Sequence, residues 1–226
     1  MDPALAQLLA AAIAFVGTHF ALSHPLRAPL VSRIGEGPFL GLYSLVAAAT
    51  LGWTIVAFRA APAADIPGAT GDAGWVSASL LTIPALLLFL GSLWKNPALP
   101  NPGAANTIDR AATGVFAVTR HPMMWGFALW ALAHLLLGWS WRTTIVSVAV
   151  GFLALVGAHL QDRKKEALLG AAWAEWEAKT SYWPRWQYLF RAGWALWAVT
   201  LLLWLVITWS HIHAAGVPAG IWRWLS

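Results

Sequence analysis

Histidine is the residue type that gives this sequence most of its chemical potential. The 226 residues include seven His and no Cys, so disulfides, iron–sulfur clusters, covalently attached c-type haem and thiol nucleophiles are excluded. Any metal chemistry must use His or carboxylates. Two of the seven, His19 and His134, lie well inside long apolar segments, where a polar side chain is costly unless it faces the protein interior and has a partner.

The depths of these two His are compatible with a shared ligand. If Arg27 and Arg120 mark the same membrane level, His19 lies about 12 Å and His134 about 21 Å into the membrane at 1.5 Å per helical residue. On neighbouring helices about 8–10 Å apart, the two backbones would be separated by on the order of 13 Å, and two imidazoles at that separation can ligate one iron. The alternative is that each imidazole bonds to a backbone carbonyl of a neighbouring helix.

Two other His mark the ends of predicted helices. His24 and His121 each precede a Pro, which ends one helix and begins the next at its first turn. The helix that starts at Pro122 would place Arg120 and His121 beside free backbone N–H groups, and His24 and Arg27 lie at the same predicted membrane level. These four residues are candidates for an anion-binding or substrate-binding end. The alternative is an anchor of basic residues combined with a helix cap.

The remaining three His are predicted to have ordinary roles. His211 and His213 follow the last apolar segment, and their spacing of two points them to different helical faces, so both are predicted to be surface residues. His159 lies beside Asp162 and other polar residues at the end of an apolar segment, which favours local hydrogen bonding.

Membrane-spanning helices are the elements that must position these side chains. Hydrophobic residues make up 59% of the chain and charged residues 10%, a balance too apolar for a water-soluble globular domain. Helices that cross about 30 Å of hydrocarbon need apolar segments of about 18 residues or more. The sequence predicts an all-α bundle of six transmembrane helices in a lipid bilayer, at residues 3–22, 38–58, 74–95, 122–139, 143–160 and 192–210.

Basic residues indicate the orientation of this bundle. The first, third and fifth loops contain eleven Lys and Arg, whereas the other side has three, Arg59, Arg142 and Arg223. The positive-inside rule then places both termini outside the cytoplasm, which for a multi-pass protein of a bacterial inner membrane is the periplasm. The formal charge of +5 does not indicate a nucleic-acid partner, because the basic residues are spread over short loops.

The longest basic loop is also rich in Trp. Trp173, Trp176, Trp183 and Trp186 are interspersed with charged residues there, a pattern typical of a helix lying along the membrane surface. A lid over a cofactor is the second interpretation. Many of the other Trp lie near the ends of predicted spans, as expected for interfacial belts.

Several motifs resemble those of a known family. Thr119–Pro122, together with Trp130 and Leu132–His134, resembles the corresponding segment of NnrU-type membrane proteins and of the plant 15-cis-zeta-carotene isomerases, which carry an NnrU-like domain. The likeness extends over nearly the whole chain and implies a single NnrU-like transmembrane domain over residues 1–226. The other similar segments are Gly17–His19, Ser23–Arg27, Gly35–Glu36, Leu42–Leu45 and Asp162–Lys164, with Gly170 and Thr180.

This resemblance implies a cofactor and two kinds of role. NnrU proteins are linked to nitrite and nitric oxide metabolism in denitrifying bacteria, and the isomerases are haem b enzymes in which two membrane-embedded His ligate iron. Those ligands correspond here to His19 and His134. The resemblance therefore implies a haem b site that serves nitric oxide or the cis–trans isomerisation of a hydrophobic polyene. The isomerases carry a Cys shortly before the second ligand, and Ala131 at that position argues against a thiol-dependent ligand switch.

A more distant resemblance offers an alternative. The Arg120–Pro122 segment and region 166–184 are similar to isoprenylcysteine methyltransferases, membrane enzymes that bind S-adenosylmethionine at the cytoplasmic side. Their motif continues with a Tyr and a Gly, and here Gly126 is kept while Met124 replaces the Tyr. We therefore expect a similar helix architecture with different chemistry, and no saturable binding of S-adenosylmethionine. The third alternative is a non-enzymatic membrane factor that assists the assembly of respiratory enzymes.

Overall fold

The computed structural model describes residues 2–63, 71–98, 111–138 and 140–225. These residues form helices and connections, with no strand among them. Two 3₁₀ segments, Trp186–Ala192 and Gly220–Trp224, lie before and after the last α-helix. The α-helices are α1 (Pro3–Ser23), α2 (Arg27–Ile34), α3 (Glu36–Ala60), α4 (Gly71–Ser92), the single turn α5 (Val115–Val118), α6 (Pro122–Leu137), α7 (Trp141–Leu169), α8 (Ala171–Lys179) and α9 (Trp194–Ala215).

Five helices within the described residues are long and apolar enough to cross a membrane, namely α1, α3, α4, α7 and α9. Each coincides with a predicted span. The predicted span 122–139 is α6, which is apolar but has only 16 residues, about 24 Å at 1.5 Å per residue. The prediction of an all-α multi-pass membrane protein is confirmed, and the prediction of six full-length spans is confirmed for five of them.

Proline, glycine and capping side chains set the helix ends. The carboxylate of Asp2 accepts a hydrogen bond from the first turn of α1, and the hydroxyl of Ser140 does the same for α7. Pro122 occupies the first turn of α6, where its missing N–H costs nothing. Gly138 ends α6 in the left-handed conformation, with a φ of 53°. The connection from α6 to α7 is therefore short.

Helix α7 lies between two groups of helices, α1 with α3 and α6 with α4. It packs against α1 on one side and α6 on another, while α3 packs against α1, and α4 packs against α6 and α9. Its 29 residues span about 43 Å, more than the roughly 30 Å of a hydrocarbon core. The last turns of α7, beyond the predicted span 143–160, therefore continue past the apolar region and carry polar residues.

Helices α4 and α6 approach each other closely. A Cβ added to Gly126 would lie 2.7 Å from the carbonyl oxygen of Ala85, a backbone atom that cannot move aside. Leu88 and Leu129 continue this contact as part of one buried cluster. Glycine at position 126 therefore fixes how closely α6 approaches α4.

The end of the bundle that carries Arg142 and Arg223 is held by short polar contacts. The guanidinium of Arg142 donates to the carbonyl of Ala61 at 3.1 Å and lies 4.6 Å from the ring centroid of Phe58. Arg223 lies 3.6 Å from the carboxylate of Asp72. The opposite end, which we call the basic end, carries Arg120 and the last turns of α7. Of the eleven basic residues predicted for that end, Arg110 lies outside the described residues.

The Trp-rich loop contains the predicted helix, α8, but two of its Trp face the protein interior. Trp173 and Trp176 are 0% and 2% exposed and pack with Ala98 and Phe116. Trp183, after the helix, is 68% exposed. The surface-helix interpretation is corrected for the two buried Trp, which belong to the core because α8 folds back onto the bundle.

Candidate functional site

The segment before α6 is held in place by the chain that follows α8. The backbone N–H of Arg120 donates to the carbonyl of Ser181 at 2.8 Å. The Thr119 hydroxyl lies 3.1 Å from the same carbonyl and 2.8 Å from that of Tyr182, and its oxygen accepts from the backbone N–H of His121 at 3.2 Å. These bonds fix Arg120 and His121 at the start of α6.

Arg120 and His121 converge on one carboxylate, that of Asp162 on α7. The guanidinium of Arg120 contacts both oxygens of Asp162 at 2.6–3.1 Å, the bidentate geometry that makes such pairs strong. Nε2 of His121 lies 2.8 Å from Oδ1 of the same carboxylate. The His121 side chain is 0% exposed and that of Asp162 is 7% exposed, so this is a buried ionic cluster.

Gln161 sets the hydrogen-bond direction at the other ring nitrogen of His121. The amide nitrogen of Gln161 donates to the carbonyl of Ala98 at 3.0 Å, which leaves its oxygen 3.2 Å from Nδ1 of His121. Both ring nitrogens of His121 therefore lie within hydrogen-bond distance of side-chain oxygens. Asp162 is thus paired with both Arg120 and His121.

Lys165 completes the polar face of α7 that points into the bundle. Its ammonium donates to the carbonyl of Pro97 at 2.8 Å, and its side chain is buried. Gln161 and Lys165, one turn apart, together hold the described residues that follow α4. This part of the site ties two separate chain segments to α7, the residues after α4 and the start of α6.

A cleft of about 500 Å³ opens beside this cluster. It is bordered by Arg120 and Asp162 from the cluster, and Nη2 of Arg120 also contacts the carboxylate of Glu177 at 3.0 Å. The guanidinium of Arg120 lies 5.6 Å from the ring centroid of Tyr182. The cleft combines acidic, basic and aromatic groups, and its remaining lining residues are His159, Arg163, Glu166 and Trp183.

Two groups outside the membrane-spanning segments have shifted pKa values in this cleft. Burial raises the pKa of Glu177 above its usual value, the charge of Arg120 opposes this, and the charges of Asp162 and Glu166 add to it. Burial and the negative charge of Asp162 raise the pKa of the Tyr182 hydroxyl. The cleft therefore disfavours further negative charge despite the presence of Arg120.

His24 and Arg27 do not join this cluster. They line a second groove, of about 330 Å³, on another face of α7. The four residues predicted as one anion-binding or substrate-binding end are thus divided between two places. Arg120 and His121 are engaged by Asp162, and His24 and Arg27 lie with Lys164 in the second groove.

The two intramembrane His share the same local hydrogen bond. Nδ1 of His19 donates to the carbonyl of Phe15 at 2.7 Å, and Nδ1 of His134 donates to the carbonyl of Trp130 at 2.8 Å. Both partners lie four residues earlier on the same helix. Within the described part of the chain, no hydrogen bond engages Nε2 of either ring. Each ring is therefore held to its own helix through Nδ1.

An imidazole nitrogen without a hydrogen-bond partner can serve as a metal ligand. A metal-ligating imidazole commonly donates its other N–H to a backbone carbonyl, which fixes the ring orientation. Helices α1 and α6 each pack against α7, but in the described part of the chain they do not pack extensively against each other. The assumption that the two helices are direct neighbours is therefore not confirmed. No group of three or more His, Asp or Glu among the described residues is placed to hold a metal ion.

Asp162 is the central residue that was missing from the sequence-based site. It accepts from Arg120 and His121 across 42 and 41 residues, and Glu177 and Tyr182 complete the surroundings from the chain around α8. A signal was present, since Asp162 directly follows an apolar segment beside Gln161. His159, predicted to bond locally, lines the cleft.

Comparisons with known proteins identify the family to which this chain is similar. A family model described as NnrU protein matches residues 7–219. The chloroplastic 15-cis-zeta-carotene isomerases of Zea mays and Arabidopsis thaliana are each 36% identical over 74 residues, which cover 32% of this chain and 20% of each isomerase. The chain thus matches about a fifth of the length of these relatives. No solved structure matches, so the expected likeness to methyltransferase architecture stays a prediction.

Proposed function

The chain belongs to the NnrU protein family, and from that premise we propose that it binds one haem b through His19 and His134 inside the membrane. We further propose that this site acts on a hydrophobic polyene by cis–trans isomerisation, the activity named for the plant relatives. A nitric-oxide-linked role, which the NnrU resemblance also implies, uses the same site. The shared element of both roles is a pair of imidazoles able to ligate iron.

The observation that carries this proposal is the unused Nε2 of both rings. Each Nδ1 is occupied by a carbonyl of its own helix, so neither imidazole depends on a neighbouring helix for a partner. A polar atom that faces hydrocarbon without a partner costs free energy, and an iron bound to it would remove that cost. The alternative explanation from the sequence, a bond to a neighbouring helix, finds no support among the described hydrogen bonds.

Aromatic rings set the orientation of both imidazoles. His19 lies 4.3 Å from the ring centroid of Phe15 and 5.5 Å from that of Tyr43, and His134 lies 4.2 Å from that of Trp130. These contacts limit rotation of the imidazole planes. Bound haem held by two imidazoles would supply one-electron chemistry, which suits a polyene, while these side chains orient the ligands.

Ala131 bears on how the iron is held. Its Cβ lies in the contact between α6 and α7, 3.3 Å from where a Cβ on Gly151 would be, and it is 2% exposed. A side chain at this position points toward α7. The corresponding Cys of the isomerases is absent, so this chain has no thiol to replace an imidazole, and we propose a fixed pair of His ligands.

The absorption spectrum of the detergent-purified protein tests the haem proposal. We expect one haem b per chain by the pyridine haemochrome method, with a low-spin spectrum. His19→Ala and His134→Ala each remove a strong-field ligand, so the spectrum should become high-spin or the haem should be lost. Wild-type protein that purifies colourless after expression with ample haem contradicts the proposal.

A matched control is provided by His211. Its Nδ1 also donates to a carbonyl four residues earlier, that of Ile207, at 2.8 Å, but it lies near the end of α9. His211→Ala and the cleft variant His159→Ala should leave the spectrum unchanged. If His211→Ala alters the spectrum as strongly as His134→Ala, the ligand pair is assigned incorrectly.

We also propose that α6 crosses the bilayer with the other five helices, so that both termini lie on the periplasmic side of a bacterial inner membrane. The support is that α6 packs along α4 and α7 and that the basic end carries most of the Lys and Arg. A reporter fused after Ser226 should be active outside the cytoplasm, and one inserted near Ala172 should be active inside. The opposite activities would reverse the orientation.

The cleft beside Asp162 favours a second candidate, a methyltransferase that uses S-adenosylmethionine. Its volume of about 500 Å³ and its carboxylates beside Tyr182 and Trp183 suit a ligand that carries a cationic sulfonium. Against it stands Met124 in place of the expected Tyr. We expect no saturable binding of micromolar S-adenosylmethionine by calorimetry, and binding that is lost in Glu166→Ala would make this candidate the leading one.

A further inference from the structure

The second groove lies between the connection from α1 to α2 and the last turns of α7. Its volume is about 330 Å³. His24 and Arg27 line it from one side and Lys164 from the other, and Leu160 and Leu168 contribute apolar wall. The groove thus has a cationic part and a hydrocarbon part at the level where α1 ends, which is the level of a membrane interface.

The charges in this groove have one sign. Among the described lining residues every charged side chain is basic. Arg27 is partly neutralised by Glu36 at 2.7 Å, and Arg163 by Glu166 at 3.7 Å. Lys164 has no carboxylate within ion-pair distance in the described part of the chain. Burial lowers the pKa of His24, and the nearby charge of Lys164 adds to this effect.

The lysine that follows Lys164, Lys165, lies on a different face of α7. Lys165 points into the bundle and donates to the carbonyl of Pro97 at 2.8 Å. Lys164 points to the groove, where it meets Arg27 and His24. Two consecutive lysines thus differ in their surroundings: Lys165 donates a hydrogen bond within the protein, and Lys164 lines the second groove.

We propose that this groove binds the phosphate group of an anionic phospholipid, with Lys164, Arg27 and His24 around the phosphate and an acyl chain along Leu160 and Leu168. Oxyanions bound by several basic side chains form charge-assisted hydrogen bonds, and anionic lipids attract basic residues at the inner leaflet. The apolar wall favours a lipid, because a small soluble anion has no use for it. A soluble phosphate compound presents the same head-group chemistry, and the test separates the two sources.

Native mass spectrometry of the full chain in a non-ionic detergent measures this binding. Phosphatidylglycerol and phosphatidylcholine with identical acyl chains are titrated separately. We expect phosphatidylglycerol to bind at least about fivefold more tightly, and Lys164→Gln to remove that preference, at about fivefold per basic residue near the membrane surface. Lys164→Arg should retain the preference because it keeps the charge.

Lys179→Gln is the matched control, since it removes a lysine at the same end of the bundle that does not line the groove. It should bind phosphatidylglycerol as the wild type does. Equal binding of the two lipids, or an equal loss in Lys164→Gln and Lys179→Gln, overturns the proposal. Phosphatidylglycerol retained in about 10 mM inorganic phosphate supports the lipid as the ligand, whereas its displacement supports the same phosphate site with a soluble ligand.

Discussion

The buried cluster at the basic end and the two intramembrane His use polar groups in opposite ways. In the cluster, Arg120 and His121 both bond to Asp162, and each ring nitrogen of His121 has a partner. In the membrane, His19 and His134 each use one ring nitrogen for their own helix. The cluster joins distant parts of the chain by hydrogen bonds, whereas the hydrogen bonds of the intramembrane His among the described residues stay within their own helices.

This difference separates a structural role from a ligand-binding one. In a buried ionic cluster each member depends on the others. Removal of one member is strongly destabilising, because it leaves its partners buried and unpaired. An imidazole bonded only within its own helix adds little to tertiary stability. We therefore expect variants of the cluster to affect folding, and variants of His19 and His134 to affect the bound cofactor.

The largest effect is expected from Asp162→Ala. The change removes the buried carboxylate to which both Arg120 and His121 bond, and breaking such a buried ion pair costs about 3–5 kcal/mol of unfolding free energy. Thermal unfolding in detergent measures the loss. Glu166→Ala, one turn later on α7, removes a carboxylate that is 42% exposed and 3.7 Å from Arg163, so it should cost less than about 0.5 kcal/mol. Equal losses in the two variants would show that the cluster is not a structural unit.

Substitution of His by Phe should separate the two regions directly. His121→Phe leaves Asp162 and Gln161 each without one partner, and we expect a loss of about 1–3 kcal/mol with an unchanged haem spectrum. His19→Phe and His134→Phe should alter the spectrum, and in protein expressed under haem limitation they should change stability by less than about 0.5 kcal/mol. A large stability loss in His19→Phe without a spectral change would reverse the assignment of roles.

Thr119→Val tests the bonds that hold the cluster in place. Valine has nearly the same shape as threonine, but it cannot bond to the carbonyls of Ser181 and Tyr182 or accept from His121. We expect a loss of about 1–2 kcal/mol. Thr50→Val is the control, because the Thr50 hydroxyl bonds only within its own helix, to the carbonyls of Val46 and Ala47, and its loss should have almost no effect.

The smallest expected effect is a pH dependence from Glu177. Its pKa in the folded protein is raised above the ordinary value of 4.5, so between that value and the raised pKa the folded state binds more protons than the unfolded state. The contribution to stability is present below pH 4.5 and is lost as the pH rises through the raised pKa. Glu177→Gln should flatten the stability profile above pH 4.5, and Glu175→Gln, 63% exposed, should not.

Helix positions followed from the sequence because they depend on local properties. The length of apolar segments located α1, α3, α4, α7 and α9, and Pro122 correctly marked the start of α6. The predicted span 122–139 was too long, because Gly138 ends the helix after Leu137 although the sequence stays apolar beyond it. A hydropathy average does not detect a helix end that is set by a glycine.

The packing partners did not follow from the sequence. Every long segment here is apolar on nearly all sides, so no face indicates which helix is adjacent to it. The placement of α7 in contact with both α1 and α6 could not be deduced, and neither could the pairing of Asp162 with residues about 40 positions earlier. The sequence identified the types of the reactive residues, but the distances between their side chains could be obtained only from the structure.

Arg142 has a consequence for the order in which the protein is assembled during synthesis. Its guanidinium bonds to the carbonyl of Ala61, 81 residues earlier in the chain, and Ile145 and Val146 of α7 cover the cluster formed by α1 and α3. The amino-terminal helices therefore leave the ribosome well before the helix that completes their packing. Until α7 is inserted, α1 and α3 form an unfinished pair, a stage at which insertion factors and membrane chaperones find exposed surface to bind.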